Sequence, residues 1–239
     1  MPDADLKLEA AGRDKWQAFY ADRARPVPFF SGAPDENLHD WLQQGLIAPG
    51  AALDIGCGNG RNAIFLARQP GFGPVQAIDY SASAAAWARE AIAHADVGVQ
   101  LHEGSIFELA LAPGSLDLIY DSGCFHHMAP HQRDDYVRLV ATALKPGAAF
   151  GLVCFAPEGG SGLSDDAVYA RGSLGGGLGY SDSRLRELWQ QGRLFDIVVL
   201  RRMREPGTTE TGLFGKGSLW AMLGRRRSQR EEARLSATS

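Results

Sequence analysis

Apolar residues in this chain fall into short β-rich runs, separated by stretches that repeat at helical intervals. Runs at 51–55 (AALDI), 74–80 (PVQAIDY), 97–104 (VGVQLHEG), 115–121 (SLDLIYD) and 148–155 (AAFGLVCF) have the length and composition of buried strands. Between them, 61–69, 81–95 and 132–145 carry helical spacing. The last places Tyr136, Leu139, Val140 and Leu144 on one face and ends on a Lys-Pro-Gly stop. Alternation of this kind predicts right-handed βαβ units and a sheet covered on both faces. After Phe155 the pattern changes. A Gly-rich stretch, 156–180, exceeds ordinary connections and reads as a functional loop. A helix near 182–192 and two strands, FDIVVLRRM and GSLWAML, then form an antiparallel hairpin at one edge.

The expected architecture is therefore α/β: a doubly wound, mostly parallel, seven-stranded sheet ending in an antiparallel hairpin. Residues 1–34 form an aromatic arm, 35–224 the domain, and 225–239 a charged, solvated tail. No internal repeat is visible.

Composition narrows the function classes. A 239-residue chain can bury enough surface for one large domain without disulfides. The formal net charge of −4 argues against a general nucleic-acid binder. No run approaches a membrane span, and the first residues lack the apolar core of a signal peptide. Three cysteines without a C-x-x-C spacing make no disulfide framework, which points to a reduced, cytoplasmic setting.

The sharpest motif is LDIGCGNGRN, 53–62, at the turn from the first strand into the first helix of the alternation. Gly56, Gly58 and Gly60 permit a tight turn and close approach of a ligand to the backbone. Asp79 ends the second strand, where an acidic side chain can bind ribose hydroxyls. A nicotinamide site would fit these features in part. However, the spacing is G-x-G-x-G, and Asp54 at the strand end opposes a pyrophosphate while suiting a cationic ligand.

Here the chain resembles the class I S-adenosylmethionine-dependent methyltransferases over roughly residues 35 to 155. LDIGCGNG, AIDYS, GSIFEL, LDLIYDSGCFHHM and ALKPGAAF arrive in that family's order. The resemblance implies S-adenosylmethionine as cofactor and S-adenosylhomocysteine as product. It assigns Asp54, Gly56, Cys57, Gly58, Asn59 and Gly60 to the methionine part, Asp79 to the ribose and Tyr80 to the adenine face. Ser105 and Ile106 would meet the adenine edge, and Asp121 the cofactor from the fourth strand. The arm WQAFYADRARPVPFF and the series Asp121, Phe125, Pro130, Arg133, Tyr136 more loosely resemble the thiopurine, thiol/halide and tellurite-resistance branch. That likeness, with no N-P-P-Y-type motif, implies a small-molecule acceptor and no nucleic-acid or membrane partner, in a monomer or homodimer.

The stretch DSGCFHHMAPHQR, 121–133, leaves the fourth strand at its carboxyl end, where doubly wound sheets bind ligands. Pro130 disfavours helix at Ala129, so His127 and His131 are not secured four apart on one face, and no metal is expected. Two readings stay open for His126 and His127: a catalytic base or substrate anchor, and a packed strand end. Cys124 and Phe125 join them as candidate substrate contacts. Trp16, Phe19, Tyr20 and Phe30 of the arm, with Tyr169 and Tyr180 of the Gly-rich loop, are candidate pocket walls. The arm is expected to serve the acceptor more than the cofactor. A non-catalytic cofactor- or nucleotide-binding regulator is the alternative from another class.

Overall fold

The structure, a computed structural model, describes residues 3–207 and 212–228. Its sheet comprises β1 (Ala52–Ile55), β2 (Val75–Asp79), β3 (Val99–Glu103), β4 (Leu116–Ser122), β5 (Leu144–Phe155), β6 (Phe195–Arg202) and β7 (Leu219–Arg226). The spatial order is β3-β2-β1-β4-β5-β7-β6. The first five strands pair in parallel, and β7 lies antiparallel between β5 and β6. This is the mixed, mostly parallel Rossmann-like sheet that the alternating pattern predicts, with the hairpin at its edge.

Seven helices are described: α1 (Asp3–Ala21), α2 (Glu36–Gln43), α3 (Arg61–Ala67), α4 (Ala82–Ala95), α5 (Arg133–Ala143), α6 (Asp165–Arg171) and α7 (Asp182–Gln190). Strand side chains alternate between faces, so the sheet separates two apolar cores. Leu118 and Tyr120 of β4 pack with Leu38 and Trp41 of α2 and Leu66 of α3. Ile119 of β4 and Phe150 of β5 pack with Tyr136 of α5 and Trp189 of α7 on the other side. Phe150 and Trp189 stack at 4.3 Å. Gly151 is required beside them, because a Cβ there would lie 2.5 Å from the Tyr120 ring. Its absence lets Tyr120 lie across β5 and donate its hydroxyl to Asp35 at 2.7 Å.

Strand order reverses between β1 and β4, which opens a crevice beyond their carboxyl ends. The turn after β1 and the segment after β4 meet there. A Cβ on Gly56 would sit only 2.6 Å from the Cys124 Cβ.

Three elements depart from the expected pattern. The aromatic arm is largely the 19-residue helix α1. The Gly-rich stretch contains α6, started by the Ser164 hydroxyl accepting the Ala167 N–H at 3.3 Å. Strand β7 runs to Arg226, so Arg225 and Arg226 complete the sheet instead of fraying. Arg226 Nε donates to the Ala141 carbonyl at 2.8 Å. Residues 229–239 of the expected tail lie outside the described residues.

Candidate active site

The turn between β1 and α3 is built on left-handed glycines, with φ of 65° at Gly56, 57° at Gly58 and 80° at Gly60. A side chain in that region costs about 1–2 kcal/mol per residue. Asp79, at the end of β2, accepts the N–H groups of Gly58 and Ser81, each at 2.9 Å. It thereby ties the second strand to the first turn. Burial raises its pKa to about 6, although these hydrogen bonds oppose the shift. Each carboxylate oxygen retains acceptor capacity for a further donor. Asp54 in β1 accepts the Ala63 N–H at 3.1 Å. Burial pushes it up to about 8, with Arg61 working against the rise.

A buried ionic network lies under this turn. Arg61 pairs with Asp35 at 2.6 Å, donates to the Ala33 carbonyl at 2.8 Å and reaches the Ser122 hydroxyl at 3.2 Å. Asp35 also accepts from Asn62 Nδ2 at 3.2 Å. The segment before α2 is thus fixed to the start of α3. No local pattern reveals this pair, because its members come from different elements.

Above the turn is a cavity of about 510 Å³, within the roughly 300–1,000 Å³ usual for small ligands. Asp54, Gly56, Cys57, Gly58, Asn59, Asp79, Tyr80, Ser105 and Ile106 line one side. Trp16, Phe19, Phe29, His126, His127 and Phe155 line the other. Helix α1 forms the roof. Its Gln17 Oε1 accepts the Ser83 N–H at the start of α4, at 3.0 Å. Its Glu9 meets His131 at 3.1 Å, while His131 Nδ1 lies 2.9 Å from the Tyr169 hydroxyl. Tyr20 packs on Phe30 and Trp87 and extends its hydroxyl over the glycine turn. The arm therefore covers both ends of the cavity, which corrects the expectation that it attends chiefly to the acceptor.

Among the candidate substrate contacts, Trp16, Phe19, Tyr20 and Cys124 reach the cavity. Phe30, Phe125, Tyr169 and Tyr180 do not. Phe30 packs edge-on against Phe19 and Trp87, and Phe125 is fully buried against Tyr136, Tyr180 and Trp189. Tyr169 is engaged by His131. Asp121 is also off the cavity wall, contrary to its assignment to the cofactor. Its carboxylate turns inward, accepting the Cys124 N–H at 2.8 Å, the Phe125 N–H at 3.1 Å and the Tyr136 hydroxyl at 2.6 Å. The Asp121–Phe125–Tyr136 series is thus a device that shapes the chain leaving β4. Gly60 lies behind the wall as the cap of α3. Phe29, one of the arm's rings, also lines the cavity, as do Arg61, Met128 and Phe214, to which no motif gave a role.

The two adjacent imidazoles occupy a short turn, Phe125–His127. His126 stacks on Phe155 at 3.9 Å, and its Nδ1 accepts the Phe155 N–H at 3.2 Å. That bond leaves the neutral ring protonated at Nε2. Burial lowers its pKa to about 3, helped by nearby Lys15. The same burial, with His126 and Lys15, keeps His127 well below the usual imidazole range. His127 meets the Trp16 ring at 4.5 Å. Both rings are uncharged at neutral pH. Among the described residues, no group of three or more His, Cys, Asp or Glu is arranged to hold a metal ion. Nor is any described helix long and apolar enough to cross a membrane.

Residues 52–147 match the model of a methyltransferase domain family. Over that stretch the chain is similar to methyltransferase domains. The family's cofactor is S-adenosylmethionine, and the cradle fits it: Gly56 and Gly58 bring the backbone of the turn to the cavity wall, between the carboxyl groups of Asp54 and Asp79. The chain is 33% identical over 135 residues to ribosomal RNA small subunit methyltransferase C of Alcanivorax borkumensis, covering 54% of this chain and 40% of that protein. An uncharacterized methyltransferase of Synechocystis is 31% identical over 121 residues, covering 50% and 54%. The chain thus spans about half or less of these relatives. Among solved structures, a protein that converts a disulfide bond into a thioacetal group during echinomycin biosynthesis superposes with a TM-score of 0.69, at 23% identity over 95% of this chain and 97% of that one. The Burkholderia thailandensis 1,6-didemethyltoxoflavin-N1-methyltransferase, bound to 1,6-didemethyltoxoflavin and S-adenosylhomocysteine, superposes at 0.67, with 22% identity over 92% and 89%.

Proposed function

We propose that this protein methylates a small-molecule nucleophile, with S, N or O as the acceptor atom, using S-adenosylmethionine. The observation that carries this reading is one roofed cavity joining the glycine turn to an aromatic chamber floored by His126 and His127. Such a space suits a small acceptor better than a nucleic-acid strand, which requires an open, basic groove. The looser likeness to the thiopurine and thiol/halide branch supports the same choice. So do two small-molecule chemistries among the structural neighbours. The ribosomal RNA relative bears on the shared domain and leaves acceptor choice to the parts around it. Three free thiols suit a reducing cytoplasm.

When bound, S-adenosylmethionine supplies a methyl group made electrophilic by a sulfonium. In this reading Asp54 and the turn from Gly56 to Asn59 hold its methionine part, and Asp79 its ribose. Tyr80, Ser105 and Ile106 border the adenine. Trp16, Phe19 and Phe155 exclude water and hold the acceptor. Positioning of this kind supplies about 7–11 kcal/mol of a displacement barrier, against roughly 3–5 kcal/mol for a general base. The test is S-adenosylhomocysteine release with a panel of thiols, phenols, N-heterocycles and ribosomal RNA fragments. Turnover with a small molecule supports the proposal; turnover with RNA alone overturns it.

A further inference from the structure

The two imidazoles of the chamber differ in what they can offer a ligand. His126 Nδ1 is committed to the Phe155 N–H, so Nε2 must carry the proton. His126 lines the cavity, and no protein group among the described residues partners its Nε2. His127 lines the same wall, and among the described residues neither of its ring nitrogens is bonded to protein, which leaves one lone pair for an incoming N–H. The ring centroids are 4.1 Å apart. A fixed donor thus stands beside an available acceptor, with Phe155 stacked on the first ring and Trp16 edge-to-face with the second. Arg13 and Lys15 line the same cavity, and Lys15 is near enough to help keep both imidazoles uncharged. Lys15 lies over the Trp16 ring at 5.5 Å, and Glu9 is engaged by His131 and Gln132.

We propose that His126 and His127 read the edge of a neutral cyclic amide, a ring N–H beside a carbonyl, and that this nitrogen is the methyl acceptor. The inference rests on the methyl-transfer reading above and names its substrate class. His126 Nε2–H donates to the carbonyl oxygen, and the ring N–H donates to the His127 lone pair. On methylation the nitrogen's own electron pair forms the bond to the methyl carbon while the carbon–sulfur bond breaks onto sulfur. The positive charge this places on nitrogen makes its N–H strongly acidic. That bond then breaks, its pair returns to nitrogen and the proton passes to His127, although burial weakens that imidazole as a base. The positive charge that the methyl donor brings ends on the imidazole.

Calorimetric titration of the full chain loaded with S-adenosylhomocysteine tests this, with 2-quinolone as the probe. N-methyl-2-quinolone, 2-naphthoate and 2-naphthalenethiolate are the controls. Expected is at least about tenfold tighter binding of 2-quinolone than of each control. His126→Ala should remove at least about tenfold of that affinity, and His126→Gln should restore part of it through its amide N–H. Both variants should bind S-adenosylhomocysteine as the parent does, which reports that they are folded. The ¹⁵N–¹H signal of His126 Nε2 should shift on 2-quinolone addition and stay put with the naphthoate. Equal affinities, tighter binding of an anionic control, or no binding of 2-quinolone overturns the inference while leaving methyl transfer standing. Failure of the parent protein to bind S-adenosylhomocysteine would instead sink the methyl-transfer reading.

Discussion

The Tyr20 hydroxyl occupies the space next to Gly58 that any side chain would need: a Cβ built there lies 2.5 Å from it. The roof helix and the glycine turn are therefore in contact. Gly58→Ala should be unfavourable twice over. The left-handed φ costs about 1–2 kcal/mol, and the methyl group displaces Tyr20. Expected is a melting temperature lower by roughly 2–8 °C and weaker S-adenosylmethionine binding by calorimetry. Unchanged values of both would remove Gly58 from the cradle.

Contact at both ends of the cavity also predicts that α1 residues separate by function. Trp16 meets His127 on the acceptor side, and Tyr20 lies over the turn. Trp16→Ala should raise the acceptor KM while leaving cofactor affinity near the parent value. Tyr20→Phe should lower cofactor affinity with little effect on the acceptor KM, measured in the same assay. Identical effects of the two changes would return both rings to a packing role.

The fold and the glycine turn were legible because their determinants are local. The 53–62 turn, the strand end at Asp79 and the Lys-Pro-Gly stop each declare themselves within a few residues. The acceptor side was less legible because its partners are distant in sequence. Asp121 has the residue type and strand-end position of a ligand contact, yet Tyr136 captures it from the next helix. Phe125, beside the histidines in sequence, points to the opposite core, since a short turn sends neighbouring side chains in different directions. The roles of His126 and His127 could not be separated until Phe155, from another strand, fixed one tautomer.

The Asp35–Arg61 pair should be the most sensitive polar element beneath the site. Both side chains are almost fully buried, and Asp35 also accepts from Tyr120 and Asn62. Removing one partner of a buried pair costs about 3–5 kcal/mol, because the other charge is left uncompensated. Asp35→Ala should therefore lower denaturant stability by that order and loosen the start of α3. Asp35→Ala combined with Arg61→Met should recover part of the loss, since the stranded cation is gone. A double variant less stable than Asp35→Ala alone would contradict this account.

On the proposed reading, Asp54 makes cofactor affinity depend on pH. Burial raises its folded pKa from 3.8 to about 8, so the folded, ligand-free protein retains a proton that the unfolded chain releases. The sign follows from linkage: this stabilisation is complete below pH 3.8 and is lost as pH rises through about 8. Asp79, raised to about 6, acts in the same direction but has largely titrated by neutrality. Between pH 6 and 7.5, then, Asp54 is the group still losing its proton. If it faces the ammonium of S-adenosylmethionine, binding favours the carboxylate and expels that proton. Affinity should accordingly rise with pH across this window, by up to about tenfold per unit. Calorimetry in buffers of differing ionisation enthalpy should register the released proton. In Asp54→Asn the affinity should be lower, the pH dependence flat and the released proton absent. A wild-type affinity that stays constant from pH 6 to 7.5, with no proton released, would place the cofactor's ammonium elsewhere.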